Sequence, residues 1–454
     1  MSFSSVNPAT GERLGAFDFW SDGRVDQALA LAHQVSGEWA GTPVDDRCDA
    51  VRAVGGVLRD RRDALAEIIA LEMGKLIVEA RAEIEKCATG CDYYADHGPE
   101  FLADEAMASD AGRSFLAYQA MGPILAVMPW NFPFWQVLRF AAPALVGGNV
   151  ALLKHASNVP QCALALQDVF TDAGLPEGVF TSLMIGSDQV RDVIEDRRVR
   201  AVTLTGSEAA GRAVAATAGA RLKKTVLELG GSDPFIVLED ADLAQAVEIG
   251  LTSRLINAGQ SCIAAKRFIV VDAVADAFVE GILSTVGRYR NGDPLDEQTT
   301  LAPLAREDLR DDLHVQVLGS IEQGARPVLG CTLEKGVGAY YPVSILDGVR
   351  PDMVAGHEEL FGPVIAILRV RDEAEAVRIA NDTTFGLGAS VWTRDAVRGE
   401  RVARQIQAGA VFVNGLVKSD PRLPFGGIKD SGYGRELSRL GLYEFQNIKT
   451  VWIR

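Results

Sequence analysis

Cysteine is scarce in this chain, with six in 454 residues. They stand at positions 48, 87, 91, 162, 262 and 331. So few thiols, so scattered, make no disulfide framework and suit a reducing cytoplasm. Cys87 and Cys91 are four apart, but no His pair or second cysteine pair stands near them, so no metal site is expected. Positive charge is in deficit: 45 Lys and Arg oppose 61 Asp and Glu, a net −16. The electrostatic footprint of a nucleic-acid binder is missing. The longest apolar region, 123–153, is broken by Asn131, Gln136, Arg139 and Asn149 and by prolines at 123, 129, 133 and 143. No stretch of about 20 apolar residues remains to span a membrane as a helix. The start, Met1-Ser2-Phe3-Ser4, has no basic segment before an apolar one, so no secretory signal is expected. The expectation is a cytoplasmic protein with neither nucleic-acid nor membrane partners.

What is present is ordinary for a globular chain: 48% hydrophobic and 23% charged residues, in a length that suits two or three domains. The first hundred residues carry helical spacing. Val25, Leu29, Ala32 and Val35 recur on one face, and Val51, Val54, Leu58, Leu65 and Ile69 continue toward Gly74, a plausible stop. From Pro123 short β-type runs (124–128, 150–153, 179–185, 202–204, 225–229) alternate with helical ones near 134–146, 160–173, 188–194 and 208–218. That alternation predicts a parallel, doubly wound α/β sheet. A second α/β series follows Gly230-Gly231, with strands at 235–238, 267–271 and 409–413 and helices at 241–256, 374–380 and 396–407. The simplest architecture is two α/β domains with a cleft between them. The terminal run 448–453 reads as a lone strand that pairs with another chain or a distant segment.

Five features could carry chemistry. Cys262 closes Gly259-Gln260-Ser261-Cys262, between a helix and a strand. A thiol on a tight loop can be exposed and activated, whereas most cysteines are small buried hydrophobes. Glu228 ends an apolar strand before Gly230-Gly231. Carboxyl ends of parallel strands face the ligand crevice, and an apolar setting raises a carboxyl pKa toward that of a base; the bland alternative is a solvated strand-end Glu. Thr205-Gly206-Ser207 precedes a helix and suits a pyrophosphate, or is simply a Ser207 cap. Lys154 ends a strand and is followed by His155-Ala156-Ser157, with no carboxylate. Asn131 sits between two prolines in Pro129-Trp130-Asn131-Phe132-Pro133, where its amide could donate to an oxyanion.

Together these segments match one family. Pro129-Trp130-Asn131-Phe132-Pro133, Leu227-Glu228-Leu229-Gly230-Gly231, Gly259-Gln260-Ser261-Cys262 and Glu359-Leu360-Phe361-Gly362-Pro363 resemble, in order and spacing, the signature segments of the aldehyde dehydrogenase superfamily. The resemblance covers nearly the whole chain. Lys154-His155-Ala156-Ser157 and the segment from Lys418-Ser419 to Phe425-Gly426-Gly427 look like the bacterial, NADP-dependent succinic semialdehyde dehydrogenases of that superfamily. Arg139 falls where that branch has a substrate-binding Arg.

The resemblance implies two doubly wound α/β domains with a small β oligomerisation element, in a homodimer or homotetramer. It implies a cofactor domain at 1–101 and 121–229, a catalytic domain at 230–421, and the oligomerisation element with the C-terminal tail at 102–120 and 422–454. Cys262 becomes the nucleophile, Asn131 and the Cys262 N–H the oxyanion donors, and Glu228 the base for thioester hydrolysis. Trp130, Lys154, Ser157, Gly206, Ser207, Leu229, Glu359 and Phe361 become cofactor residues, and Arg139 and Ser419 hold the substrate. NADP is expected over NAD, because Ser157 stands where an NAD enzyme has a carboxylate against the ribose hydroxyls. Ile263 follows Cys262 where some relatives have a second Cys, which rules out a disulfide between neighbours. The alternatives are a dehydrogenase of another small aldehyde, a catalytically silent protein with this fold, and a cysteine hydrolase. The last needs a His partner, and none of the five His lies in a segment of that kind.

Overall fold

The computed structural model describes residues 2–333 and 335–454. Its first sheet is built from apolar runs too continuous to have a wet face. Every residue of Ala201–Thr205 is buried, and Pro123–Met128 and Val150–His155 expose almost nothing. Strands buried on both faces belong in a parallel sheet covered by helices. The order is Gly432–Tyr433, Lys224–Glu228, Ala201–Thr205, Pro123–Met128, Val150–His155, Phe180–Ser182. All neighbours are parallel except Gly432–Tyr433, which runs antiparallel on Lys224–Glu228. The chain leaves Pro123–Met128 to build Val150–His155 on one side and Ala201–Thr205 on the other. That reversal is a topological switch point, where open α/β sheets bind ligands beyond the strands' carboxyl ends.

Four N-terminal helices, Asp22–Gly41, Val44–Asp60, Arg62–Met73 and Ile77–Phe101, share one apolar core with this sheet. Ser21 caps the first, accepting from the Arg24 N–H. The third stops at Gly74 as expected from the sequence. Gly74 takes φ 82°, and a Cβ there would meet Pro8 and Pro303 at 2.8 and 2.9 Å.

The second sheet has seven strands, in the order Arg326–Leu329, Ser344–Asp347, Val364–Val370, Arg267–Val271, Pro234–Val237, Gly388–Trp392, Ala410–Val413. Only the edge strand Arg326–Leu329 is antiparallel. It has its own core. The last strand, Gln446–Ile453, pairs along its whole length with Arg113–Ala120, from Gln446 on Ala120 to Ile453 on Arg113. The distant partner expected for it is thus within the same chain. The fold is the mixed α/β one expected, with two parallel-dominated sheets and a small three-stranded one. Among the described residues no helix is long and apolar enough to cross a membrane.

Candidate active site

The site lies where the carboxyl ends of the first sheet meet loops that enter the second. Met128 and Thr205 end switch-point strands and lead into Pro129–Pro133 and Gly206–Ser207. Cys262 and Glu359 each stand a few residues before a strand of the second sheet, Arg267–Val271 and Val364–Val370. Close packing fixes these loops on one another. Gly259 has φ +76°, and a Cβ on it would meet the Gly362 carbonyl oxygen at 2.3 Å. Arg254, fully buried, donates to the carbonyls of Leu360 (2.7 Å) and Gly362. A Cβ on Gly231 would meet the Cys262 carbonyl oxygen at 2.7 Å. Gly259 and Gly231 are therefore glycines because the backbone of another signature segment touches them. Asn257 and Ala258, just before Gly259, both have φ 53°. For a non-glycine residue each costs about 1–2 kcal/mol, strain of the kind that collects at functional sites.

Cys262 opens on two cavities. One, of about 230 Å³, is lined by Trp130, Asn131, Gly206, Ser207, Leu229, Glu359 and Phe361. The other, of about 110 Å³, is lined among others by apolar Phe132, Trp135, Ile263 and Phe425 and by polar Lys86, Arg139, Lys418 and Ser419. Cys262 and Gln136 are common to both. Thiol acidity does not mark the residue. Burial pushes Cys262 up to about 12, against the pull of Arg139 and Lys266, and raises the other five thiols too. Location does mark it: the other five are buried.

Asn131 is held from all sides. Its carbonyl accepts from Lys75 Nζ (2.9 Å) and Asn257 Nδ2 (2.8 Å). Its side-chain oxygen accepts from Gln136 Nε2 (2.9 Å), and its Nδ2 donates to the Gln260 carbonyl (3.0 Å). An amide nitrogen has two hydrogens, so one donor remains. The Cys262 N–H meets no acceptor among the described residues. Lys75 forms a buried ion pair with Glu83, whose other oxygen accepts the N–H groups of Phe134 and Trp135 at the start of Trp135–Val146. Sequence reasoning missed Lys75, Glu83, Gln136 and Asn257. Gln136 stands out only as a polar residue in an apolar stretch, and Glu83, in a run rich in charged residues, carries no local signal.

Glu228 is buried at the end of its strand, and neither carboxylate oxygen has a hydrogen-bond partner. Burial, followed by the charge of Glu436, pushes its carboxyl well above the ordinary range; Arg139 and Arg435 pull the other way. It packs on Gly426, where a Cβ would meet its Oε1 at 2.6 Å. Glu359 pairs with buried Lys266 at 3.0 Å and accepts the Gly231 N–H at 3.2 Å. Lys266 also donates to the carbonyls of Ser261 and Cys262, at 2.8 and 2.7 Å, which ties Glu359 to the cysteine loop. Phe361 stands edge-on to Trp130, ring centres 5.8 Å apart.

The residues at the switch point have the chemistry to hold part of a dinucleotide. Ser207 caps Glu208–Ala220, whose first-turn N–H groups lack intrahelical partners and suit a pyrophosphate. A Cβ on Gly230 would meet the flexible carboxylate ends of Glu208 and Glu359 at 2.2 and 2.5 Å, so both side chains close over this glycine. Lys154 and Ser157 line neither cavity. They lie at the carboxyl end of Val150–His155, beside the switch point, with Ser157 exposed. His155 is buried and turned away: its Nε2 donates to the Pro133 carbonyl (2.9 Å), its Nδ1 accepts the Ala156 N–H, and burial pushes it down to about 4.

Arg139 lines the second cavity but is already engaged. It is ion-paired with buried Glu436 and donates to Thr205 Oγ1 at 3.2 Å. Among the described residues no cluster of three or more His, Cys, Asp or Glu could hold a metal ion.

The profile of the aldehyde dehydrogenase family matches residues 1–451. The chain is 50% identical over 453 residues to a probable succinate-semialdehyde dehydrogenase [NADP(+)] of Synechocystis, covering all of both chains. It is 48% identical to a succinate semialdehyde dehydrogenase [NAD(P)+] of Escherichia coli, over 99% of this chain and 97% of that one. The succinic semialdehyde dehydrogenase of Streptococcus pyogenes, solved in complex with NADP+, superposes with a TM-score of 0.98 at 41% identity, over 99% of each chain.

Proposed function

The chain belongs to the aldehyde dehydrogenase family, and on that premise we propose that it oxidises succinic semialdehyde to succinate, with NADP preferred over NAD. The observation that carries the reading is the position of Cys262, at the meeting of a switch-point cavity and a second cavity with a cationic end. The Cys262 thiol gives up its proton to solvent water, and the thiolate attacks the aldehyde carbon. The free Asn131 Nδ2 hydrogen and the Cys262 N–H take the oxyanion. When bound, NADP would supply the hydride acceptor for oxidation of the Cys262 adduct to a thioester. Glu228 then takes a proton from the water that attacks the thioester carbon, and the Cys262 thiolate leaves. In this arrangement the Glu228 carboxylate lies among Glu436, Arg139 and Gly426, so it serves as base after swinging toward Cys262. Glu359 would hold the nicotinamide ribose, with Trp130, Leu229 and Phe361 beside it, and Gly206 and Ser207 would hold the pyrophosphate. Arg139 and Ser419 face the substrate's carboxylate. The division into cofactor, catalytic and oligomerisation segments given above belongs to this reading.

The test is an initial-rate comparison of succinic semialdehyde with butanal, each with NADP and with NAD, read at the reduced-cofactor absorbance band. The expected order places succinic semialdehyde with NADP first. A preference for butanal would favour a dehydrogenase of another small aldehyde.

Asn131→Ala removes one oxyanion donor and is expected to lower kcat by about 10²–10³-fold, the usual cost of such a loss. A rapid-mixing trace should show slower formation of the reduced cofactor in the first turnover; an unchanged first turnover would remove Asn131 from the oxyanion site.

Cofactor choice rests on Ser157 and Lys154. A 2′-phosphate meets a small hydroxyl donor and an ammonium there, with no carboxylate in the segment to repel it. A tenfold preference needs only about 1.4 kcal/mol, within reach of one charge-assisted hydrogen bond. Ser157→Glu is expected to reverse the order of kcat/KM, favouring NAD. A variant that keeps its NADP preference would contradict this assignment.

A homodimer or homotetramer in the cytoplasm completes the proposal. Ile448, Trp452 and Ile453 on the terminal strand are each about half exposed, apolar surface that suits a second copy. Light scattering of the purified protein gives the subunit number.

A further inference from the structure

The carboxylate-reading end of the second cavity holds a cation that the sequence did not single out. Arg139 brings little net charge to it, because buried Glu436 is paired with its guanidinium and Thr205 takes another of its N–H groups. Lys86 is different. It projects from Ile77–Phe101 into the cavity, partly buried, and is in no ion pair among the described residues. Its ammonium donates to Ser419 Oγ at 2.7 Å and lies 4.2 Å from the centre of the Trp135 ring.

Ser419 shows what this arrangement is for. Trp135 Nε1 donates to the same Ser419 Oγ at 2.9 Å. A hydroxyl has two lone pairs and one hydrogen. Lys86 and Trp135 occupy both lone pairs, so the Ser419 hydrogen is left to donate, and no acceptor for it stands among the described residues. The cavity that Cys262 also lines therefore presents an oriented O–H donor beside an ammonium. An anionic acceptor on the substrate completes both.

We propose that Lys86 is the specificity-determining cation of this site: it pairs with the substrate's distal carboxylate and, with Trp135, holds Ser419 as a donor to the same group. The proposal rests on the succinic semialdehyde reading above. The charged groups around Lys86 are Glu83 and Cys87 on its own helix, Lys75 before it, and Arg139 on the facing helix. Glu83 is already paired with Lys75. Burial lowers the Lys86 ammonium to about 8, so an incoming carboxylate restores charge stabilisation that the free site lacks.

The experiment is steady-state kinetics of wild type, Lys86→Met, Lys86→Arg and Arg139→Met with succinic semialdehyde and with butanal, its uncharged four-carbon analogue. Methionine keeps the length and apolar stem of Lys86. The expected result for Lys86→Met is that kcat/KM for succinic semialdehyde falls at least about tenfold more than that for butanal, through KM, as suits loss of one charge-assisted hydrogen bond. Lys86→Arg should recover part of the discrimination. Equal losses on both substrates would mean that Lys86 only supports the fold, and would overturn the proposal. So would a discrimination that shifts in Arg139→Met and not in Lys86→Met, a result that leaves the substrate reading standing. A wild type that prefers butanal would instead end the substrate reading itself.

Discussion

Cys262→Ala is expected to abolish aldehyde oxidation, lowering kcat by at least about 10⁴-fold while NADP still binds. No other thiol can take over. Cys48, Cys87, Cys91, Cys162 and Cys331 are buried, and none of them lines either cavity. Removing a covalent nucleophile takes away the whole two-step path, so the loss is larger than for any positioning group. The thiol rests protonated at neutral pH, since burial holds it at about 12. Its proton must leave before attack, and the barrier to that is part of what the site must lower. Calorimetric titration with NADP separates lost chemistry from lost folding: binding near wild type with no turnover is the expected pair. Turnover within tenfold of wild type would move the nucleophile elsewhere.

The second large effect is expected from Glu228→Gln. An amide cannot accept the water's proton, so steady-state turnover should fall by about 10²–10⁴-fold, the usual worth of a general base. Hydride transfer precedes that step. A rapid burst of reduced cofactor should therefore survive, followed by slow turnover. The pH dependence has a definite sign. Burial raises the Glu228 carboxyl, so the base is protonated and idle at pH values where a solvated Glu is ionised. Wild-type turnover should climb with pH through that raised value, and the Gln variant should lack the climb. A variant without a burst, or with the wild-type pH limb intact, would assign the base to another group.

Local pattern made the sheets legible. The runs around Pro123–Met128, Val150–His155 and Ala201–Thr205 announce buried parallel strands because both faces are largely apolar. The chemistry-bearing segments were legible for a related reason: they are short loops near strand ends, several of them marked by a glycine, and some of those glycines answer to a close approach, such as Gly259 on Gly362. What stayed hidden depends on contacts between distant parts of the chain. Lys75 and Glu83 flank and occupy what reads as a plain amphipathic helix, yet they hold the Asn131 carbonyl and the start of Trp135–Val146. Lys86 meets Ser419 across 333 positions. The partner of Arg139, Glu436, comes from the last twenty residues, and nothing near Arg139 in sequence foretells it. The terminal strand read as lone for the same reason, since Arg113–Ala120 lies over three hundred residues away.

The covalent intermediate is the centre of the mechanism, and mass spectrometry of the Glu228→Gln variant reads it directly. The variant is mixed with succinic semialdehyde and NADP, quenched in acid within the burst, and digested. The expected result is one succinyl group per chain, on the peptide that carries Cys262, absent when NADP is omitted. An unmodified Cys262 after a full burst of reduced cofactor, or a succinyl group on another residue, would contradict the thioester at Cys262.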